Sequence, residues 1–211
     1  MAAHSITSPD ALAALYPNPP APASLAKEID RIDANYAALI AASPFCVIAT
    51  SGADGLDCSP RGDEPGFVTV ADERTLLIPD RRGNNRLDTL RNLLVDDRIG
   101  LLFVIPGVGE TLRVNGRAAI SADPALLARF TVDGKAPASV IVVRVERAYF
   151  QCSRAIVRAQ LWDPARQVDR ASLPSAGAIL RDITARDAAI ETFDGEAYDK
   201  ALPERVKATL Y

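Results

Sequence analysis

Between residues 45 and 151 the apolar residues fall in short runs joined by short turns, and some of those runs, such as LDCSPRG and TLRVNG, alternate at every second position. Period two is the signature of half-buried strands, and short turns allow only antiparallel neighbours, because parallel strands need a crossover of a dozen or more residues. FCVIATS (45–51) and LDCSPRG (56–62) flank the turn GADG and read as a hairpin. GFVTV (66–70) and TLLIP (75–79) repeat the pattern around ADER, and IGLLFVI (99–105) and ETLRVNGRAAIS (110–121) repeat it around PGVG. SVIVVRVERAYFQC (139–152) is the clearest strand, with Val140, Val142, Arg144 and Glu146 on one face and Ile141, Val143, Val145 and Arg147 on the other. The expectation is a mainly β protein with six or seven antiparallel strands in a barrel or sandwich, flanked by helices. No βαβ alternation and no GxGxxG is present, which argues against a dinucleotide-binding Rossmann domain.

Helices are expected at the ends and in two gaps. Leu25, Ile29, Ile32, Tyr36, Leu39 and Ile40 form one apolar stripe, which predicts a helix over 25–42 with Ser24 as its N-cap. A short helix is predicted over 84–94 and another over 123–131, where Asp123-Pro124 provides a cap and a first-turn proline. Residues 172–192 look helical too. Residues 1–23, rich in Ala and Pro, read as an extended arm. The organisation is therefore an arm over 1–23, a main domain over 24–165, and a helical extension over 166–211 that packs on that domain or on a partner copy.

Composition narrows the chemistry. The chain has 211 residues, enough for a sizeable core without a metal or disulfide staple. His4 is its single histidine and sits in the arm, so a Ser-His-Asp or Cys-His catalyst is not expected. No CxxC or HExxH occurs, and no metal site is expected. Cys46, Cys58 and Cys152 lie 12 and 94 positions apart in strand-like runs, which suggests reduced thiols. With no secretion signal and no membrane-length apolar run, a cytoplasmic location is expected. A net charge of −3 argues against general nucleic-acid binding.

One segment departs from that average. Residues 81–91 hold Arg81, Arg82, Arg86 and Arg91 against Asp88 alone, a local charge of +3. The layout is strand, Arg-Arg-Gly-Asn-Asn-Arg, helix. A loop that opens a helix presents free backbone N–H groups and a positive dipole end, which suits an anion. Gly83 permits close backbone approach, Asn84 or Asn85 can cap the helix or donate to a phosphate, and Arg86 can add a bidentate clamp. A solvated basic turn with an Asn cap fits the same residues. SPRGD (59–63) is a second candidate: Ser59 and Arg61 share one face of an extended chain, where Arg61 could meet the same phosphate or simply pair with Asp63. Pro60 requires an edge strand or an irregularity.

These blocks, together with the later RAIVRAQLW, resemble the pyridoxamine 5′-phosphate oxidase-like flavoproteins, in particular a bacterial subfamily of about 200 residues known for FMN binding. The resemblance spans residues 40–163 and rests on the order and spacing of DCSPRGDEPGFV, LLIPDRRGNNRLDTLRNLLVDDRIGLLFVIPG, ETLRVNGRA and RAIVRAQLW. It implies a split β-barrel homodimer with FMN in clefts at the subunit interface. Carried over by position, it places phosphate contacts at Ser59 and Arg61, flavin-lining residues at Ile78, Pro79 and Asp80, and the phosphate clamp at Asn84, Asn85 and Arg86. A polar residue that reaches the flavin ring falls at Thr111 or Arg113, and Asn115-Gly116 follows as a tight turn or bulge. Arg158 and Trp162 are candidates for substrate or partner-subunit contacts, beside plainer roles as an ion pair and a packing indole.

The departures are informative. Where true pyridoxamine phosphate oxidases carry Arg and His to grip the substrate phosphate, this chain has DPARQVDRASLPSAG, with no His. Gln151 stands where the closer subfamily often has a His. The expected function is thus an FMN-dependent oxidoreductase whose substrate is not pyridoxamine phosphate. Alternatives are a flavin carrier or sensor without turnover, or the same fold with a deazaflavin.

Overall fold

The computed structural model describes residues 5–187, 190, 191 and 193–211, so His4 lies outside the described residues. Seven strands form one antiparallel sheet: β1 (Phe45–Gly52), β2 (Gly55–Gly62), β3 (Thr69–Asp72), β4 (Thr75–Asp80), β5 (Arg98–Val104), β6 (Thr111–Ser121) and β7 (Ser139–Gln151). Their order is β2-β1-β5-β6-β7-β4-β3. The sheet curls around a main core built from the inward residues of five strands, among them Ile48, Phe103, Val114, Ile141 and Ile78, and Leu77, Phe130 and Val140 form a second, smaller cluster. Each such side chain contributes roughly 1.5–3 kcal/mol by leaving water. The edges β2 and β3 do not pair with each other, so the barrel is split. Pro60 lies on the β2 edge, the place open to a residue that cannot donate to a ladder.

The Asn115-Gly116 irregularity is a bulge. Asn115 faces Arg147 while Gly116 faces Val145, so Glu146 is the extra residue on β7. A Cβ on Gly116 would stand 2.1 Å from the Arg144 carbonyl oxygen, so only glycine allows the strands this close. The bulge shifts the alternation predicted for β7: Arg147 is exposed and Ala148 is buried. GFVTV also differs from expectation. The strand begins at Thr69, and Phe67 and Val68 are buried in the core without joining the ladder.

The predicted helix over 25–42 is two helices with an extended link. The arm contains α1 (Pro9–Leu15), capped by Ser8, so residues 1–23 are not simply extended. Then follow α2 (Pro22–Ala26) and α3 (Ala34–Ala42). Between them Ile29 exchanges two backbone hydrogen bonds with Ala148 at 3.0 and 2.7 Å, and Ile32 N–H donates to Glu73 at 2.7 Å. Tertiary pairing thus overrides the helical period. Asp33, not Ser24, caps α3 by accepting from Tyr36 N–H at 2.8 Å.

The remaining helices are α4 (Asp88–Val95), α5 (Pro124–Ala128), α6 (Arg154–Ala159), α7 (Ala176–Thr184) and α8 (Gly195–Ala208). The helix predicted over 84–94 begins four residues later, and those predicted over 123–131 and 172–192 are shorter than expected. Asp123 caps α5 as anticipated. No described helix is long and apolar enough to cross a membrane.

Candidate functional site

The split in the barrel is lined by the β2 edge, the end of β4 and the loop that leads into α4. They enclose a cleft of about 800 Å³. Alternation along β2 points Asp57, Ser59 and Arg61 to one side. Ser59 Oγ donates to Asp57 at 2.9 Å, and Thr89 Oγ1 on α4 donates to Asp57 Oδ2 at 2.7 Å. Arg61 Nη2 donates to Thr89 Oγ1 at 3.3 Å and stands 3.8 Å from Asp80 Oδ1. Thr89 is buried, so this network ties β2, β4 and α4 together at the cleft floor. Burial pushes the Asp80 carboxyl up, and the Arg61 guanidinium partly opposes that shift. The simple Arg61–Asp63 pair is not formed: Arg61 goes to Asp80, and Asp63 accepts from Arg81 Nε at 2.8 Å.

The loop side is built differently. Arg81 turns inward, to Asp63 and to the Phe130 carbonyl oxygen. Arg82 is exposed and has no acidic partner among the described residues. Asn84 Oδ1 accepts from Arg86 N–H at 3.1 Å, and Arg86 Nε pairs with Asp88 at 2.7 Å. Asn85 and Leu87 take left-handed backbone conformations, with φ of 59° and 61°. That coil moves the helix start to Asp88, with Leu87 at the N-cap and no side chain capping it. The predicted Asn cap is therefore not made; Asn84 braces the loop instead.

Ser59, Arg61, Pro79, Asp80, Asn84, Asn85 and Arg86 thus share one cleft. Ile78 does not reach it, because its side chain is fully buried in the core. Thr111 and Arg113 lie on β6 away from this cleft, opposite Gln151 and Tyr149, with the Arg113 guanidinium 5.7 Å from the Tyr149 ring. Arg158 is exposed on α6, while the Trp162 indole N–H donates to the Val108 carbonyl at 2.8 Å and pins the segment after α6 to the β5–β6 turn.

Asp57, Thr89, Lys135 and Tyr211 also line the cleft and were not anticipated. Asp57 alone carried a local signal, its period-two spacing with Ser59 and Arg61. The three thiols form no disulfide, and burial pushes Cys46 up to about 12, leaving it inert. No cluster of metal-ligating side chains exists among the described residues.

Several solved structures resemble this chain. One is HupZ from Group A Streptococcus, with 20% identity, covering 58% of this chain and 95% of that one at a TM-score of 0.49. A second is a protein related to general stress protein 26, of the pyridoxinephosphate oxidase family, from Clostridium acetobutylicum, with 14% identity, 55% and 84% coverage, and a TM-score of 0.42. A third is described as the FAD binding protein from Mycobacterium smegmatis, with 15% identity, 58% and 97% coverage, and a TM-score of 0.40. No curated protein matches the chain. Residues 32–152, more than half of the sequence and the whole of the barrel, match the sequence model of pyridoxamine 5′-phosphate oxidase. The chain belongs to the pyridoxamine 5′-phosphate oxidase family.

Proposed function

We propose that this protein binds FMN in the cleft at the split of the barrel and acts as an FMN-dependent oxidoreductase. One observation carries the reading: Arg61, Arg82, Arg86 and Lys135 line the cleft against Asp57, Asp80 and Asp88, with Arg81 beside them already paired to Asp63, in a chain of net negative charge. Those carboxylates already accept hydrogen bonds or ion pairs from Ser59, Thr89, Arg61 and Arg86. Asp80 and Asp88 orient Arg61 and Arg86, while Asp57 holds the hydroxyls of Ser59 and Thr89. The volume is within the ~300–1,000 Å³ usual for cofactor pockets. A Cβ on Gly83 would meet nothing within 4 Å, so the loop leaves open space beside its donors.

The residues present therefore fit a phosphate ester. Arg61 from β2 and Arg86 from the loop would grip the phosphate, with Arg82, Asn84 and Asn85 adding donors. Pro79 and Asp80 would border the ring. FMN, when bound, supplies the two-electron redox chemistry. Ile78 would take part only through its backbone. Thr111, Arg113, Arg158 and Trp162 stand outside this cleft, and any contact they make with the cofactor would come from a second copy in a homodimer.

A substrate other than pyridoxamine phosphate is supported by the segment after α6. Its arginines are committed internally, Arg166 to Gln160 and Arg170 to the carbonyls of Leu173 and Pro174. The test is the absorbance spectrum of the purified protein with and without added FMN, followed by anaerobic reduction with NADH or NADPH and reoxidation by candidate acceptors. Flavin bands and turnover are expected. A colourless protein that takes up no FMN would overturn the reading, and a flavoprotein that no donor reduces would leave a carrier in its place.

A further inference from the structure

The last turn of α8 and the residues after it, 206–211, run to the cleft and are held there through one residue, Tyr211. Tyr211 lines both the main cleft and a neighbouring cavity of about 420 Å³, so it stands as a partition between them. Its hydroxyl donates to Asp63 Oδ1 at 2.6 Å. Its ring lies 5.5 Å from the Arg81 guanidinium, within cation–π range. Its main-chain oxygen accepts from Lys135 Nζ at 3.1 Å. Three separate pieces of the cleft wall therefore meet on Tyr211: the exit of β2, the loop after β4, and the loop between α5 and β7.

The anchor is rigid. The Asp63 side chain is only 5% exposed and accepts from Tyr211, from Glu64 N–H at 2.9 Å and from Arg81 at 2.8 Å. The segment itself is not rigid in the same sense. Val206 and Leu210 are 51% and 60% exposed, so little apolar burial holds it down. A segment docked by a few polar contacts, with few apolar ones, opens locally at low free-energy cost. We infer that residues 206–211 form a strap across this wall of the cleft, with Tyr211 as its latch on Asp63 and Arg81, and that unlatching is the step by which an anionic ligand enters and leaves. The ligand part of this inference rests on the FMN reading of the cleft.

Tyr211 is then a positioning residue: it acts by holding Arg81 and closing the wall. The test uses the full chain and two mild variants, Tyr211→Phe and Asp63→Asn. Hydrogen exchange of residues 206–211 is measured first without FMN. About tenfold faster exchange is expected in each variant, the scale of one lost hydrogen bond to a charged group. Unchanged exchange overturns the latch. Stopped-flow flavin fluorescence then gives the FMN association and dissociation rates. A gate raises both rates, with the dissociation constant moving less than either, whereas damage to the binding site raises dissociation alone. Equal rates, or a rise in dissociation only, overturns the gate. If the wild-type protein takes up no FMN, the cofactor reading fails on its own, and the exchange measurement decides the latch.

Discussion

Arg61 and Arg86 line the same cleft from different elements, β2 and the loop before α4, and their surroundings differ. The Arg61 side chain is 24% exposed and is tied into Thr89, Asp80 and, through Thr89, Asp57. The Arg86 side chain is 74% exposed and pairs only with Asp88, two residues away at the start of α4. Strand pairing and a buried threonine fix the first cation before any ligand arrives. The second is held by a local pair in water, which contributes little to stability. The strand wall is thus fixed by its own contacts, and the loop wall is held only by a local pair.

The sharpest way to break that contrast is Arg61→Ala. It removes a preorganised cation and leaves Asp80, already pushed up by burial, without its partner. FMN binding should weaken by about 1.5–3 kcal/mol, the range for a charge-assisted hydrogen bond. Thermal stability should fall as well. Fluorescence titration and a melting curve read both, and an unchanged affinity would remove Arg61 from the phosphate site.

Thr89→Val comes next. It keeps the shape but deletes a buried hydroxyl that donates to Asp57 at 2.7 Å and accepts from Arg61. A stability loss of roughly 1–2 kcal/mol in urea denaturation is expected, because Asp57 keeps only Ser59 as a side-chain donor. FMN affinity should fall in parallel as Arg61 loses its acceptor. If stability drops while affinity holds, Arg61 is positioned by Asp80 alone.

Arg86→Ala is the counterpart on the loop wall. About tenfold weaker FMN binding is expected, the low end for such a contact, since Asp88 competes for the guanidinium. The melting temperature should not move, as befits an exposed pair. A melting temperature that falls with Arg86→Ala would show that the loop wall is built as firmly as the strand wall.

The difference between the walls also explains what the chain discloses before folding. Strand positions such as Ser59 and Arg61 follow from period two, and Pro60 announces an edge. The hairpins follow for the same reason, since their partners are a turn away. The loop was readable as basic but not in its conformation: Asn85 and Leu87 adopt left-handed backbone geometry, and a leucine there carries no signal. Contacts between distant residues left no trace in spacing. Thr89 meets Asp57 across 32 positions, Tyr211 meets Asp63 across 148, and the Ile29–Ala148 pairing breaks a helix that its own stripe predicted. Local patterns encode local partners; the cleft floor is assembled from three elements and is visible only when they meet.

The smallest effect expected is in the pH dependence of stability, where two half-buried aspartates of the cleft region have opposite signs. Asp80 is raised from its ordinary value of 3.8 by burial, so the folded protein favours its protonated form. Its contribution is fully present below the unfolded value and is lost as pH rises through the folded one. Asp63 is lowered, because the Tyr211 hydroxyl, Glu64 N–H and Arg81 together outweigh its burial. Its contribution is present above 3.8 and is lost as pH falls through the folded value. Asp80→Asn should therefore stabilise the protein slightly at neutral pH and steepen its acid unfolding, because a group that resists acid loss has been removed. Asp63→Asn should do the reverse, lowering neutral stability and flattening the acid limb. Urea midpoints between pH 3 and 7, spanning the ordinary carboxylate range near ~4, separate the two variants. Parallel pH profiles would mean that Arg61 offsets the burial of Asp80, and that the strand wall holds an ordinary ion pair.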